Sequence, residues 1–437
     1  RLCRWNTSLF IPFDHWALTP KHGPGVVSDG PTMKWEFHNW PKKLGRVFPP
    51  DWFASHDFVD RTLTDREFPS RLACVPKTQK GPRLIASEPT AHQWMQGAIQ
   101  RWFEDALKKH PLGLSIDFGN QAFSMEMAQH ASAHRDLATV DLSAASDRLS
   151  TRLVEYVFQG HEPLLDALHA TRSRALVIPP GISSRITERK MMILRKFAPM
   201  GSACTFPVQT IVFTLLAHFA VMVARSDRDI SWNGMMNRAR QIRVFGDDII
   251  IPTDSYPVLE RILTSVGLRI NRSKSFAKGF FRESCGRDAY GGYDVTPAYL
   301  RSRYDARNPE SLASTVECSN NFYKKGLWHT ADYLLKTIAP EERKLLPVSN
   351  RDLGSCSIFS VQGTTMRHLR SRYNRDLHRE EFQILDLDTK SKKRSGTGEA
   401  SLLQYYTVAP PAHLMVRWTH GEAERPSPRK RRRWVTL

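Results

Sequence analysis

The sequence predicts an α+β fold organised around an antiparallel sheet, and three observations lead there. Short apolar runs at Leu137–Val140 and on both sides of Gly246–Asp247 have the length and composition of buried strands. Helix-like segments separate them within the same stretch of chain. The two later runs meet at a Gly-Asp dipeptide, which suits a tight primed turn and so pairs them antiparallel.

The elements follow in order. Residues 1–50 are rich in Trp, Pro and Gly and read as loops over an irregular framework. Residues 92–109 look helical. After the 137–140 strand, Asp141 stands at the strand's C-terminal end, and the small residues "SAAS" make a tight strand-to-helix turn. Leu149, Leu153 and Val157 recur at i, i+4 and i+8, with Val154 and Phe158 alongside, so 148–159 reads as an amphipathic helix that Gly160 stops. Residues 203–224 hold no Asp, Glu, Lys or Arg, a length that could span a bilayer. Thr205, Gln209, Thr210, Thr214 and His218 recur through that segment, and Pro207 sits near its start, which favours a buried core helix. The hairpin "QIRVFGDDIIIPTD" comes next, then a helix, a stop at Gly267, and a strand in "LRINRSKSF". The end, "SPRKRRRWVTL", is a basic run expected to be mobile.

A chain of 437 residues, 41% hydrophobic, can bury a large core and suggests roughly two to four domains or subdomains. Six scattered cysteines without a C-x-x-C pair argue against structural zinc and a disulfide scaffold, and fit a reducing cytosol. Net charge is +19, of which residues 390–437 carry eleven Lys and Arg against three Glu. A basic excess that also extends over the rest of the chain points to a polyanionic partner, most simply nucleic acid. No signal peptide is seen, and a first residue of Arg suggests a fragment or a processed form.

Three constellations could carry chemistry. Asp141, Asp247 and Asp248 would bring carboxylates from two backbone segments to strand ends. Mg²⁺ takes oxygen ligands of this kind, and two such ions about 4 Å apart can activate a hydroxyl and stabilise a leaving pyrophosphate. A Gly-Asp turn without any function is the plain alternative. Lys77, Lys80 and Arg83 recur around the Gly-Pro turn of "CVPKTQKGPRLIASEP" and could converge on a triphosphate, or form an ordinary basic loop. In "APMGSACTFPVQT" a Gly-Ser loop enters the uncharged helix; its backbone and hydroxyls could touch a ribose or base, or Ser202 or Thr205 could cap the helix.

Together these segments resemble the ordered motifs of viral RNA-dependent RNA polymerases, and more narrowly the replicases of single-stranded RNA bacteriophages, the leviviruses. The loop 74–89 is similar to motif F, "VDLSAASDRLS" to motif A, "PMGSACTF" to motif B, "VFGDDIII" to motif C and "VGLRINRSKSF" to motif D. "FRESCGRDAYGGYDVTPAYLR" is similar to the motif E region, and "FRESCG" is distinctive of the phage group. "PKHGPG" near the start resembles a fingers segment.

The resemblance implies a right-hand polymerase: fingers over 1–135, incomplete at the N-terminus; a palm over 136–300 with a fingers insertion at about 161–198; and a thumb with a basic tail over 301–437. It implies two Mg²⁺ ions, with Mn²⁺ able to substitute, held by Asp141 and Asp247 with Asp248 assisting. Asp147 would lie near the incoming ribose beside Ser202, and Gly201 would belong to the same loop. Lys77, Lys80 and Arg83 would hold the triphosphate. Lys274 would protonate the pyrophosphate, with Arg272 and Lys278 as near alternatives. Arg282, Tyr405, Tyr406 and Arg431 are candidate RNA contacts, though paired tyrosines also pack. The implied partners are RNA template and product, NTPs, host translation elongation factors and a ribosomal protein, with no membrane, in the cytoplasm of an infected bacterium. Phe245 replaces the usual Tyr of motif C, and Gln209 stands where many viral polymerases have Asn.

Two other readings share these features. A reverse transcriptase has the same paired aspartates but places a bulky aromatic gate where this chain has "SAASD". A non-catalytic RNA-binding relic would keep the charge without the three aspartates, all of which are present here.

Overall fold

A computed structural model describes residues 1–23, 25–29, 40–53, 63–78, 81–180, 190–351, 353, 356–389 and 428–436. The chain divides into two compact units, the first comprising Arg1–Thr296 and the second beginning at Pro297.

In the first unit, β1 (Ser70–Thr78) and β2 (Gly81–Ser87) form an antiparallel hairpin. Helix Thr90–Lys108 follows and is mostly buried, including Trp94, Ile99 and Phe103. Helix Ala122–His134 leads to β3 (Leu137–Asp141). Then β4 (Ala175–Val177) joins β1 in parallel, and β5 (Met191–Ile193) pairs with β4. Helix Thr205–Ala224 precedes β6 (Arg243–Phe245) and β7 (Asp248–Pro252). The unit ends with β8 (Phe281–Ser284), β9 (Arg287–Tyr290) and β10 (Tyr293–Asp294), a meander.

The site stands on the sheet β3-β7-β6, antiparallel throughout. Its central strand is an unbroken isoleucine run rather than an alternating one because both faces are covered. Ile249 and Ile251 join the main core with Val140, Ile211 and Val212, while Ile250 packs with Leu137, Ala128 and Ala131 under the preceding helix. Burying each such side chain stabilises the fold by about 1.5–3 kcal/mol. The strands expected at 137–140 and around the Gly-Asp turn are therefore present, and the α+β class is met.

Helix Thr205–Ala224 is buried on nearly all sides, as expected of a core helix. Its threonine hydroxyls bond back along the helix: Thr210 Oγ1 donates to the Phe206 carbonyl at 2.7 Å and Thr214 Oγ1 to the Thr210 carbonyl at 2.7 Å. His218 Nε2 meets Ser115 Oγ at 3.3 Å.

Two local expectations change. The helix expected over 148–159 breaks in two, a single turn Ala145–Arg148 and a helix Thr151–Phe158. Ser150 causes the break by capping the second piece, its Oγ accepting from the Leu153 amide at 3.2 Å. The strand expected in "LRINRSKSF" is instead a 3₁₀ turn, Arg272–Lys274, flanked by isolated bridges from Ile270 to Leu142 and from Phe276 to Thr139.

In the second unit, helices Pro309–Lys324 and Trp328–Thr337 lie against each other. Leu312, Val316, Ile338, Leu346 and Leu385 form its core. Two short strands, β11 (Val348–Ser349) and β12 (Ile358–Phe359), run parallel. The strands β13 (Ser371–Asn374), β14 (Arg379–Thr389) and β15 (Pro428–Val435) make an antiparallel sheet. The basic tail is thus a strand rather than a mobile run. Asp388 and Asp386 on β14 attract it, pairing with Arg431 at 3.1 Å and Arg433 at 2.8 Å.

Candidate active site

Asp141 ends β3 and lies directly opposite Asp248, the first residue of β7. Asp247 occupies the tip between β6 and β7. Gly246 makes that tip possible with φ +64°, and its amide donates to Thr210 Oγ1 at 3.2 Å. The turn is also packed against the core helix: a Cβ on Gly246 would sit 3.0 Å from the Phe206 ring. Phe245 packs edge-on against the same ring, centroids 5.0 Å apart, so ring packing occupies this position without a hydroxyl.

Asp141 and Asp247 line one cavity of about 540 Å³. Arg83, Gly201, Ser202 and Lys274 line it too, so residues from five separate chain segments converge there. Asp141 is braced from the segment carrying Lys274. Its Oδ2 accepts from Asn271 Nδ2 at 2.6 Å and its amide donates to Ser275 Oγ at 3.1 Å.

Asp248 differs from its neighbour. Its carboxylate turns from the cavity and accepts the Cys285 amide at 2.9 Å. Burial pushes its pKa up to about 6, with the charges of Asp247, Glu283 and Asp141 adding to the rise and the Cys285 amide opposing it. The Cys285 amide is aimed by a two-residue turn between β8 and β9 in which Cys285 and Gly286 both have positive φ, +51° and +83°. "FRESCG" thereby buttresses the aspartate pair.

Glu283 and Asp288 oppose each other across β8 and β9 on the outward side. Burial raises both carboxyls, and the positive charge of Lys274 is the main opposing influence on each. Neither residue was expected at the site, and nothing in the sequence beyond the "FRES" string marks them.

Other expected contacts are placed as follows. Gly201 is required by geometry: its φ is +120° and a Cβ would lie 1.9 Å from the Ala86 carbonyl oxygen of β2. Ser202 Oγ accepts the Cys204 amide at 3.3 Å, and Thr205 Oγ1 donates to the Pro199 carbonyl at 2.8 Å, so neither caps the helix. The expected contact between Asp147 and Ser202 is not made. Asp147 lies outside the cavity lining and pairs with Lys196 instead. Gln209 lines the cavity, and its Oε1 is buried without a hydrogen-bond partner. Lys77 lies in β1, but its side chain, like the whole of Lys80, falls outside the described residues.

Arg282 is corrected as an RNA contact. It is completely buried, and its guanidinium donates to the carbonyls of Leu137 at 2.6 Å, Phe281 at 2.7 Å and Gly279 at 3.1 Å. It locks β8 to β3 and cannot reach a ligand. Arg431 is exposed and paired with Asp388 on the second unit's sheet. Tyr405 and Tyr406 lie outside the described residues.

Among the described residues, no three His, Cys, Asp or Glu side chains gather closely enough to hold a metal ion unaided. Mg²⁺ seldom needs that. It is commonly bound by one or two carboxylates and completes its shell with substrate phosphates and water. Two cavity-lining carboxylates, with a third directly across the ladder from Asp141, fit such a partial donor set. Like charges facing each other across strands are destabilising, a cost that a cation would offset.

Residues 52–330 match the family model described as RNA replicase, beta-chain. The chain belongs to this family. The RNA-directed RNA polymerase subunit beta of Escherichia virus Qbeta is 32% identical over 64% of this chain and 42% of its own length. The corresponding subunit of Enterobacteria phage SP is 30% identical over 67% of this chain and 46% of its own. The RNA-directed RNA polymerase beta chain of Escherichia phage MS2 is 32% identical over 53% and 37%. The chain thus spans less than half the length of these relatives. The RNA-dependent RNA polymerase of a human picobirnavirus shares 16% identity over 62% of this chain and 56% of that one, with a TM-score of 0.42. The replicase resemblance of the ordered motifs agrees with the family match.

Proposed function

We propose that this replicase-family chain carries out template-directed RNA synthesis, joining ribonucleoside triphosphates to a growing strand with release of pyrophosphate. One observation supports this most: Asp141 at the end of β3 and Asp247 at the β6–β7 turn line the same cavity as Arg83, Ser202 and Lys274. Asp141 and Asp247 would hold two Mg²⁺ ions, and Asp248 would support them through its backbone-anchored carboxylate. Bound there, the ions would lower the barrier to attack by a 3′-hydroxyl and neutralise charge on the departing pyrophosphate. Arg83 supplies a cation for the triphosphate. Lys274 is the candidate proton donor to the leaving group. Gln209 has a buried oxygen lacking a donor, which a ribose 2′-hydroxyl would satisfy.

On this reading the first 135 residues belong to the fingers, 136–300 to the palm and 301–437 to the thumb. The place of work is the cytoplasm of an infected bacterium. Template RNA binds through the basic surface, and host elongation factors and a ribosomal protein are further partners that a pull-down from bacterial lysate would test.

The deciding experiment measures NTP and dNTP incorporation on an RNA template. Preference for NTPs is expected, and Gln209→Leu should erode it by roughly tenfold or more through loss of the 2′-hydroxyl contact. Efficient dNTP use by the unaltered chain would instead favour the reverse-transcriptase reading.

A further inference from the structure

The 3₁₀ turn Arg272–Lys274 and its flanking residues do more than present Lys274. Three hydrogen bonds stitch this segment to Asp141, and a fourth ties the segment to itself. The Asn271 amide donates to the Asp141 carbonyl at 2.9 Å, and Asn271 Nδ2 donates to Asp141 Oδ2 at 2.6 Å. The Asp141 amide donates to Ser275 Oγ at 3.1 Å, and Ser275 Oγ donates back to the Asn271 carbonyl at 2.8 Å. The Asn271 amide group is itself oriented. Ser273 Oγ donates to Asn271 Oδ1 at 2.8 Å, which fixes Nδ2 as the end facing the carboxylate.

We propose that Asn271 is a positioning residue for Asp141: with Ser273 and Ser275 it sets the orientation of that carboxylate and ties it to the segment carrying Lys274. This rests on the metal-dependent reading above. A carboxylate at a strand end has two free torsions, and one oxygen held at 2.6 Å removes most of that freedom. The other oxygen is then presented in a fixed direction. Outer groups that orient metal ligands in this way are worth about 10–100-fold in affinity or activity. Because Asn271 and Lys274 share one short turn and both line the cavity, displacement of the turn would move the acid and the ligand together.

The test is binding of Mn²⁺ to the full chain, followed by the fall of the free-ion electron paramagnetic resonance signal, without NTP or RNA. Asp141→Asn serves as the control that should abolish the site. Asn271→Leu keeps the side chain's size and removes its donor, and should weaken Mn²⁺ binding roughly tenfold or more. Ser273→Ala, at an exposed position, should weaken it roughly threefold. Nucleotide incorporation by Asn271→Leu should recover toward the original rate at high Mg²⁺, whereas Asp141→Asn should not. Loss of Mn²⁺ binding in Asp141→Asn with unchanged binding in both Asn271→Leu and Ser273→Ala overturns the positioning role alone. Equal Mn²⁺ binding in the original chain and Asp141→Asn overturns the metal reading and this proposal with it. Should Asn271→Leu fail to fold, the Ser273→Ala result decides.

Discussion

Asp247 and Asp248 are adjacent in sequence and divergent in environment. Asp247 is exposed at a turn and faces the cavity; Asp248 is mostly buried and holds the Cys285 amide. A carboxyl whose folded pKa of about 6 exceeds its ordinary 3.8 prefers its protonated form in the native state. Below pH 3.8 it costs nothing. The cost grows as pH rises between those values and is complete above about 6. Asp248→Asn retains an acceptor for the Cys285 amide and removes the charge. In chelator-treated protein at pH 7 it should therefore raise stability, by roughly 2 kcal/mol. Near pH 3.5 the gain should vanish. Urea unfolding at the two pH values measures this directly, and a destabilised variant at pH 7 would contradict the burial argument.

At the scale of elements, the β3-β7-β6 sheet was readable because its signals are local. An apolar run ending in Asp141, and a Gly-Asp pair between two more runs, place two carboxylates at one sheet end with no long-range information. What was not readable depends on partners distant in sequence. "LRINRSKSF" reads as a strand by its alternation, yet Asn271 and Ser275 spend their polar groups on Asp141 rather than on a ladder. Arg282 reads as a surface cation, but its Nε bonds the Leu137 carbonyl of β3, a partner far away in sequence that no local pattern reveals. The tail's charge reads as mobility, while the acids that fix it, Asp386 and Asp388, are supplied by β14. Asp147 meets Lys196 for the same kind of reason, across a long sequence gap. Gly201 shows how two elements depend on one small residue. The loop entering the core helix crosses β2 so closely that the Met200 carbonyl accepts the Ala86 amide at 2.7 Å. Gly201→Ala combines a left-handed φ with a Cβ driven into the Ala86 carbonyl. It should destabilise the chain by about 2–4 kcal/mol in denaturant unfolding and raise the KM for NTP. Wild-type stability and KM would show that the loop has room to move.

At the scale of the whole molecule, a net charge of +19 stands beside the acidic cluster of Asp141, Asp247 and Asp248. On the proposed function, the distributed cations would supply salt-sensitive affinity for a polyanion, and the aspartates would supply chemistry that affinity cannot. The two contributions are separable because Asp247→Asn removes one charge at a turn tip and leaves every Lys and Arg in place. The most direct measurement is therefore a paired one on Asp247→Asn: template-directed NTP incorporation, and RNA binding across a salt series. Incorporation should fall by about a thousandfold or more, while RNA affinity and its salt dependence stay within roughly twofold of the original chain. Undiminished incorporation by Asp247→Asn would contradict the assignment of this cavity as the polymerising site.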